Sequence, residues 1–272
     1  MATSTATETT APTLEQPVST HRAVKLVKRN VLAYKHYWIA FITGFFEPVF
    51  YLVAVGFGVG QFIDTVSYGG GRIDYPSFLA PGLLAIATLN GAIFDGFFSP
   101  FFKLNWLKTY DGIVTTPISI PDIAVGEILW ALIRGTIYGA AFLFVMLVLG
   151  LMHSWWALLA LPAVMLSSGA LSAGAMILTG VTKQISALEK VMTLVVLPLF
   201  LFSGTFYPLS VYPDYVRPVI QALPLYHSAA LLRALTTGDV GAGTLWYVAY
   251  LVAFFAVAGA IAIRLMKKRL TD

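Results

Sequence analysis

The chain has 272 residues, of which 58% are hydrophobic and only 11% are charged, and its formal net charge is +4. A soluble domain carries about 25% charged residues, so this composition excludes an ordinary water-facing domain and favours a lipid-facing one. The sequence contains no cysteine, which excludes disulfides, thiolate metal sites and cysteine nucleophiles. The four histidines match no zinc-ligand spacing, so no metal site is expected. The basic residues lie between apolar segments rather than along a soluble face, which argues against nucleic acid as a partner.

The N-terminal region divides into two parts. Residues 1–19 are rich in Ala, Thr, Ser, Pro and Glu, bury too little apolar surface to offset the entropy of ordering, and predict a disordered cytoplasmic tail. Residues 20–38 place Val24, Val27, Val31 and Tyr34 at helical spacing, with basic residues between them. This pattern predicts an amphipathic helix in the cytoplasmic membrane interface. A solvated extension of the first apolar segment is the alternative.

Six apolar segments approach or exceed the length of about 20 residues that crosses the hydrocarbon core. They are Ile39–Gly60, Phe78–Phe98, Ile123–Leu151, Trp155–Val181, Val191–Tyr207 and Leu245–Arg264. The connections between them leave no room for a soluble catalytic domain. The predicted fold is therefore an all-α integral membrane protein with six transmembrane helices, a single domain over residues 39–265, followed by a basic C-terminus at 266–272.

Lysine and arginine are distributed unequally between the two sides of these segments. Five precede the first segment, two lie between the second and third, two between the fourth and fifth, and four at the C-terminus, against three on the other side. Cytoplasmic loops carry the excess of such residues. The distribution therefore predicts a multi-pass protein of the plasma membrane with both termini in the cytoplasm.

Four ionisable residues interrupt the apolar segments: Glu47, Asp95, Glu127 and Arg134. Charge at membrane depth is costly and marks either a substrate path or an internal pair. For Glu47, which precedes the helix-kinking Pro48, both a role in substrate passage and a pair with Arg134 are compatible with the sequence. Asp95 either contacts Arg134 or reaches cytoplasmic headgroups. Glu127 and Arg134, about two turns apart, either reach across a dimer or stay within one bundle.

The loop between the second and third segments mixes apolar and charged residues. Its apolar members are Trp106, Leu107, Tyr110 and Ile113, and Thr116-Pro117 ends it because the residue before proline disfavours helix. This predicts a short amphipathic helix on the cytoplasmic side. Either a motor subunit pushes on it or it lies in the interface without a partner.

Glycine and proline break the end of the fifth segment at Phe202, Ser203, Gly204, Phe206, Tyr207 and Pro208. More prolines follow, and then a helix-like stretch that ends at Thr237. Broken helix at membrane depth persists only where it is buried in protein or lines a cavity. A segment that re-enters from the outer face is therefore expected, with an ordinary extracellular loop as the alternative. Elsewhere, Gly56 with Gly60 and Gly135 with Gly139 have the spacing that permits close helix packing.

Motifs for energy coupling and catalysis are missing. The dipeptide Gly-Lys occurs nowhere, so the chain has no P-loop, and no zinc-protease or hydrolase motif is present. A catalytic site is not expected. The chain either draws energy from a partner or conducts passively.

Three stretches resemble the permeases of type-2 ABC exporters. Thr116-Pro-Ile-Ser119 through Asp122–Glu127 resembles the family's passage into its third span, and Leu201–Pro208 resembles its "FSG-x-x-[FY]P" signature. Leu223–Ser228 with Arg233 resembles its "PL-x-H…R" ending. The first span, Phe46–Tyr51 with Gly56–Gly60, is most similar to the branch that exports nodulation factors (lipo-oligosaccharides) and daunorubicin-type drugs.

The resemblance implies a non-catalytic subunit of an ATP-driven transporter. A cytoplasmic ABC ATPase, in two copies, would bind ATP and Mg, while this chain would bind no cofactor. A second permease, identical or different, would complete the path for an amphipathic lipid, glycolipid or drug, with membrane lipids around it. Leu104–Thr116 would be a coupling helix, shortened at Gly112, with Trp106, Leu107, Tyr110, Ile113, Thr116 and Pro117 at the ATPase.

The resemblance also assigns the other elements. Residues 20–38 would be a connecting helix beside the ATPase, and Thr205–Thr237 would be the re-entrant region. Phe202, Ser203, Gly204, Phe206, Tyr207 and Pro208 would line an outer gate. A passive channel or an integral-membrane lipid-modifying enzyme is the alternative function.

Overall fold

The computed structural model describes residues 18–34, 46–63, 65–69 and 71–271. The helices are α1 (Thr20–Tyr34), α2 (Phe46–Gly60), α3 (Tyr75–Asn105), α4 (Thr109–Val114), α5 (Ile120–Val148), α6 (Trp155–Val181), α7 (residues 186–201), α8 (Arg217–Gln221), α9 (Pro224–Thr237) and α10 (Ala242–Thr271). An antiparallel hairpin of β1 (Thr65–Tyr68) and β2 (Gly71–Asp74), which pairs Thr65 with Asp74, lies between α2 and α3. This hairpin was not predicted from the sequence.

Four helices of the described residues are long and apolar enough to cross a membrane: α3, α5, α6 and α10. They contain the predicted second, third, fourth and sixth segments, apart from the last three residues of the third, so a multi-pass helical membrane protein is confirmed. The predicted first segment begins at residues 39–45, which lie outside the described residues, as do residues 1–17 of the predicted tail and residues 35–38 of the predicted interfacial helix. The described part of the predicted first segment is the apolar helix α2. The helix of the predicted fifth segment, α7, ends at Leu201, whereas the predicted segment continues to Tyr207.

The central helix of the bundle is α3, whose apolar part is almost entirely buried. It packs against α5, α6 and α9. A Cβ added to Gly91 of α3 would lie 2.5 Å from the Cα of Gly135 in α5, and one added to Gly139 would lie 2.5 Å from a methyl group of Val164 in α6. The prediction that Gly135 and Gly139 permit close packing is confirmed. Gly56 and Gly60 have looser surroundings, with neighbours at 3.0 Å or more.

Local capping explains where α3 and α5 begin. Asp74 accepts hydrogen bonds from the backbone N–H (3.2 Å) and the hydroxyl (2.8 Å) of Ser77, and proline occupies the first turn. Ser119 and Asp122 form a reciprocal capping box at the start of α5. Both arrangements satisfy backbone N–H groups that a helix start leaves without partners.

The two ends of the bundle differ in chemistry. At one end, which we call the basic end, Arg269 of α10 donates to the side chain of Asn105 (2.8 Å) and to the carbonyl of Thr182 (2.9 Å). At the opposite end, the N–H of His153 donates to the carbonyl of Thr236 (2.9 Å), and the His153 Nε2 lies 2.8 Å from the hydroxyl of Ser77. The basic end carries α1, α4 and the end of α10, whereas the opposite end carries the β hairpin.

Helix α1 packs against α5 at the basic end. Its buried residues are Ala23, Leu26 and Asn30. Of the valines that predicted the helix, Val24 and Val31 are exposed and lie outside this contact, whereas Val27 is half-buried. The helix therefore has one face on the bundle and a separate apolar face that nothing in the described chain covers.

Candidate functional sites: the basic end and the gate turn

Asp95 and Arg134 form a buried ion pair in the middle of the bundle. Asp95 lies in a π-helical segment of α3, Phe94–Phe98, and its Oδ2 is 3.0 Å from the Nε of Arg134 in α5. The indole of Trp130 donates to the Oδ1 of Asp95 (3.0 Å). Of the two alternatives for Asp95, the structure shows the contact with Arg134. The other predicted partner, Glu47, instead accepts a hydrogen bond from Asn90 (3.1 Å).

Aromatic rings enclose the guanidinium of Arg134. Its Cζ lies 4.7 Å from the ring centre of Tyr34 in α1 and 5.2 Å from that of Tyr138 in α5. The guanidinium also donates to the Tyr138 hydroxyl. Rings and carboxylate together replace the water that a charged group loses on burial. The pair thus ties α1, α3 and α5 together at one point.

A second buried carboxylate, Glu127, connects the same three helices nearer the basic end. The Nζ of Lys103 in α3 donates to both of its oxygens (2.9 and 2.8 Å), and the amide of Asn30 in α1 donates to one of them (3.0 Å). Lys103 also donates to the carbonyl oxygen of the Asn30 side chain (3.2 Å). Glu127 and Arg134 therefore stay within one bundle, one of the two arrangements that the sequence left open.

Asp122 joins the beginning of α1 to the beginning of α5. Besides its capping role, it accepts hydrogen bonds from the Nε of Arg22 (2.5 Å) and from the backbone N–H of Ser19 (2.7 Å). This pair was not predicted from the sequence. The Ser119-x-x-Asp122 spacing before an apolar run was the signal for the cap, but nothing in the sequence indicated Arg22 as the partner.

The predicted coupling helix Leu104–Thr116 is wrong as a single helix. Helix α3 continues to Asn105, Lys108 adopts a left-handed conformation (φ 50°), and α4 begins at Thr109. The break therefore lies at Lys108 and not at Gly112, which is inside α4. We call residues 106–117 the coupling segment.

The coupling segment presents only part of its predicted face. Trp106 and Leu107 are 67% and 69% exposed, and Thr116 and Pro117 are exposed as well. Ile113 is half-buried, and Tyr110 is completely buried. Tyr110, which the resemblance places at the ATPase, instead packs in a cluster with Leu26, Leu104 and Ile123.

Burial, with the Glu127 carboxylate beside it, raises the pKa of the Tyr110 phenol well above its usual value. The ring therefore remains neutral, as an apolar environment requires. The buried Tyr110 side chain therefore packs the coupling segment against the Glu127 site and does not face the solvent.

The break after α7 forms a buried turn over residues 202–208, which we call the gate turn. Gly204 has a positive φ (69°), a conformation that glycine adopts without steric cost. Ser203, Gly204 and Thr205 are buried, whereas Phe202 and Tyr207 are exposed, and Phe206 and Pro208 are half-buried. The predicted gate residues thus divide into an inner set that anchors the turn and an outer set that is accessible.

Arg233 of α9 holds the gate turn against α3. Its Nε donates to the carbonyl of Phe78 (2.9 Å), and its Nη2 donates to the carbonyls of Gly204 (3.0 Å) and Thr205 (3.5 Å). Its Cζ lies 4.0 Å from the ring centre of Phe78 and 5.6 Å from that of Tyr68. A planar guanidinium fits several carbonyls at once, so this arginine fixes the turn.

Phe206 connects the gate turn to α2 and α7. Its ring centre lies 5.4 Å from that of Phe200 in α7 and 6.4 Å from that of Tyr51 in α2, and these two are 5.5 Å apart. Tyr51 also lines an open cavity of about 410 Å³ with Glu47 and Phe50. The gate turn and Glu47 therefore lie along one face of the bundle.

Comparison with known proteins identifies relatives over most of the chain. Residues 23–236 match the family described as "ABC-2 type transporter". The chain is 29% identical to Nodulation protein J of Sinorhizobium fredii over 256 residues, which cover 93% of this chain and 96% of that protein. It is 30% identical to Nodulation protein J of Rhizobium meliloti over 214 residues, 78% of this chain and 80% of that protein.

Proposed function

We propose a transport cycle from the premise that this chain belongs to the ABC-2 type transporter family and is a transmembrane permease subunit of an ABC exporter. A separate ATPase binds ATP and Mg and closes on the coupling segment of the permease. The permease itself hydrolyses nothing and moves an amphipathic substrate outward.

The observation that carries this proposal is the connection of the coupling segment to buried carboxylates. Trp106 and Leu107 are available to a partner, while Tyr110 is buried beside Glu127, which the half-buried Lys103 of α3 also contacts. A displacement of Trp106 and Leu107 would therefore be passed through Tyr110 to Glu127 of α5, and from Glu127 to Asn30 of α1. Packed interiors transmit such a displacement because they deform little.

The proposed topology has six spans with both termini in the cytoplasm. In this proposal, the first span includes helix α2 and the fifth includes helix α7 and the gate turn, in addition to the four spans described above. The unequal distribution of lysine and arginine supports a cytoplasmic basic end. Both termini would then lie beside the ATPase.

The region between α7 and α10 supports a re-entrant segment. The hydroxyl of Tyr250, more than two turns into α10, donates to the carbonyl of Ala222 (2.6 Å), so the connection between α8 and α9 lies well below the start of α10. Helix α9 then runs back to Gly238, beside Ser154 at the opposite end. Helix α9 is buried in protein, as membrane depth requires, whereas most of residues 209–222 are exposed.

We further propose that two permeases, identical or different, form the path between them with two ATPase copies. Glu47, Phe202 and Tyr207 are accessible along the face of α2 and α7 and would line this path. The accessible residues there are mainly aromatic and aliphatic, which fits a lipid, a lipo-oligosaccharide or a hydrophobic drug. The relatives are named for nodulation, which supports the lipo-oligosaccharide among these.

Replacement of Trp106 and Leu107 by glutamate tests the coupling role. We expect the double variant to insert in the membrane normally, because both side chains are exposed, yet to leave a co-reconstituted ATPase at its basal rate. The measurement is ATP hydrolysis in proteoliposomes that contain the partner ATPase.

Val211→Glu is the matched control, since Val211 is 67% exposed on the other side of the proposed membrane. It should leave stimulation intact. Full stimulation by the Trp106 and Leu107 double variant would contradict the coupling assignment.

A further inference from the structure

A pocket of about 550 Å³ lies between α8, α9 and the first turns of α10. We call it the aromatic pocket. Its volume falls in the range of about 300–1,000 Å³ that is typical of ligand sites. Its side chains that matter here are Gln221, Tyr226, His227, Trp246, Tyr247 and Tyr250. The cavity of about 410 Å³ beside Glu47 is separate, because its lining residues lie on α2.

The walls of the aromatic pocket are held in place by contacts with one another. The rings of His227 and Tyr250 stack with centres 3.7 Å apart, and those of Tyr226 and Tyr247 meet edge to face at 6.4 Å. The His227 Nε2 lies 2.7 Å from the carbonyl of Gln221. Trp246, by contrast, is 64% exposed at the rim. The pocket thus has a fixed interior and an accessible aromatic edge.

One ring nitrogen of His227, Nδ1, is a hydrogen-bond acceptor without a partner among the described residues. Since Nε2 must donate to the Gln221 carbonyl, the neutral ring carries its lone pair on Nδ1. The residue is only 3% exposed, and its Nδ1 has no hydrogen-bond partner among the described residues. A buried polar atom of this kind is uncommon unless a water or a ligand completes it.

The charge of the lining restricts the ligand. None of the residues that line the aromatic pocket carries a formal charge when His227 is neutral, so phosphates and carboxylates find no counterion there. A plain hydrocarbon would cover the exposed Gln221 amide without giving it a hydrogen-bond partner. A ring with apolar faces and a hydroxyl-bearing edge matches both the aromatic surfaces and the hydrogen-bonding groups.

We propose that the aromatic pocket binds a neutral saccharide. Its rim lies on the first two turns of α10, at the end opposite the basic end. The binding itself is independent of the transport cycle. Its biological role, to receive the sugar part of an exported glycolipid on the outer side, rests on the proposed function.

Calorimetry on the whole chain in phosphatidylcholine nanodiscs tests this proposal. Sugar-based detergents must be removed, because their headgroups would occupy the pocket. The probes are two neutral tetrasaccharides, one of glucose and one of N-acetylglucosamine, with free inositol as a competitor. We expect saturable binding of at least one tetrasaccharide below about 10 mM.

Variants locate the binding. Trp246→Ala should weaken it at least about tenfold, Trp246→Phe should retain part of it, and Gln221→Ala should also weaken it. Trp155→Ala is the control, because Trp155 is 90% exposed and does not line this pocket. It should bind like the wild type.

Three results would overturn the proposal: no saturable binding of either tetrasaccharide, binding that neither Trp246→Ala nor Gln221→Ala changes, or inositol that competes as well as the sugars, which indicates a lipid headgroup site. Saccharide binding that persists while the coupled ATPase test fails supports the pocket and contradicts only the transport cycle.

Discussion

Single buried charges hold the helices of this permease together at defined points. Asp95 with Arg134 and Glu127 with Lys103 each connect α3 to α5, and α1 contributes Tyr34 and Asn30 to the two sites. Such pairs add little net stability relative to apolar packing, but the loss of one partner leaves the other charge buried alone. Their main effect is to specify which helix faces contact.

Asp95→Asn is expected to destabilise the protein by about 3–5 kcal/mol, because Arg134 remains buried without a counter-charge. The double variant Asp95→Asn with Arg134→Gln should recover part of this loss. Unfolding in mixed micelles, followed by circular dichroism, measures both. If the loss in the double variant equals the sum of the losses in the two single variants, the two residues do not interact.

Arg233→Lys is expected to loosen the gate turn while the fold persists, because an ammonium group cannot reach the three carbonyls that the guanidinium contacts. Hydrogen exchange of the backbone N–H groups at residues 203–206 should accelerate by at least about tenfold. Arg217→Lys is the control, since Arg217 contacts the carbonyls of Ser210 and Tyr212 instead. Unchanged exchange in Arg233→Lys would contradict the clamp.

At the scale of elements, the break between α3 and α4 determines the direction of the coupling segment. Lys108 supplies the left-handed residue that ends one helix and begins the next. A residue with a Cβ adopts this conformation at a cost of about 1–2 kcal/mol. The break therefore persists because Tyr110 and Leu104 are buried on either side of it.

Substitutions at Lys108 and at Gly112 test the break and the following helix separately. Lys108→Gly should raise the free energy of unfolding by about 1 kcal/mol, because glycine removes the strain, and Lys108→Val should lower it. Gly112→Ala should stabilise α4 by a similar amount, since a Cβ there meets no atom within 4 Å. Mixed-micelle unfolding distinguishes these signs. A loss of stability in Lys108→Gly would contradict the observed break.

For the whole molecule, orientation in the membrane follows from charge, and the lack of native cysteine makes it directly measurable. Single-cysteine variants at Leu107 and Val211, both exposed, should react oppositely with a membrane-impermeant maleimide. In intact cells Val211→Cys should react and Leu107→Cys should not, whereas inside-out vesicles should give the reverse. Reaction of both on the same side would contradict the proposed topology.

The sequence by itself determined the class of protein, four of the spans and the family. Apolar runs of sufficient length cross a membrane whatever their neighbours are, because every backbone hydrogen bond of a helix is made within the segment. The candidate ionisable residues were also identified from their apolar surroundings.

Only the tertiary structure decided the partners of those residues. Asp95, rather than Glu47, meets Arg134, and Arg22 meets Asp122 about 100 positions along the chain. Tyr110 faces inward, the break falls at Lys108, and Arg233 reaches the carbonyls of the gate turn. These features depend on helix rotation and on contacts between residues far apart in the chain, which the local pattern of apolar and polar residues does not encode.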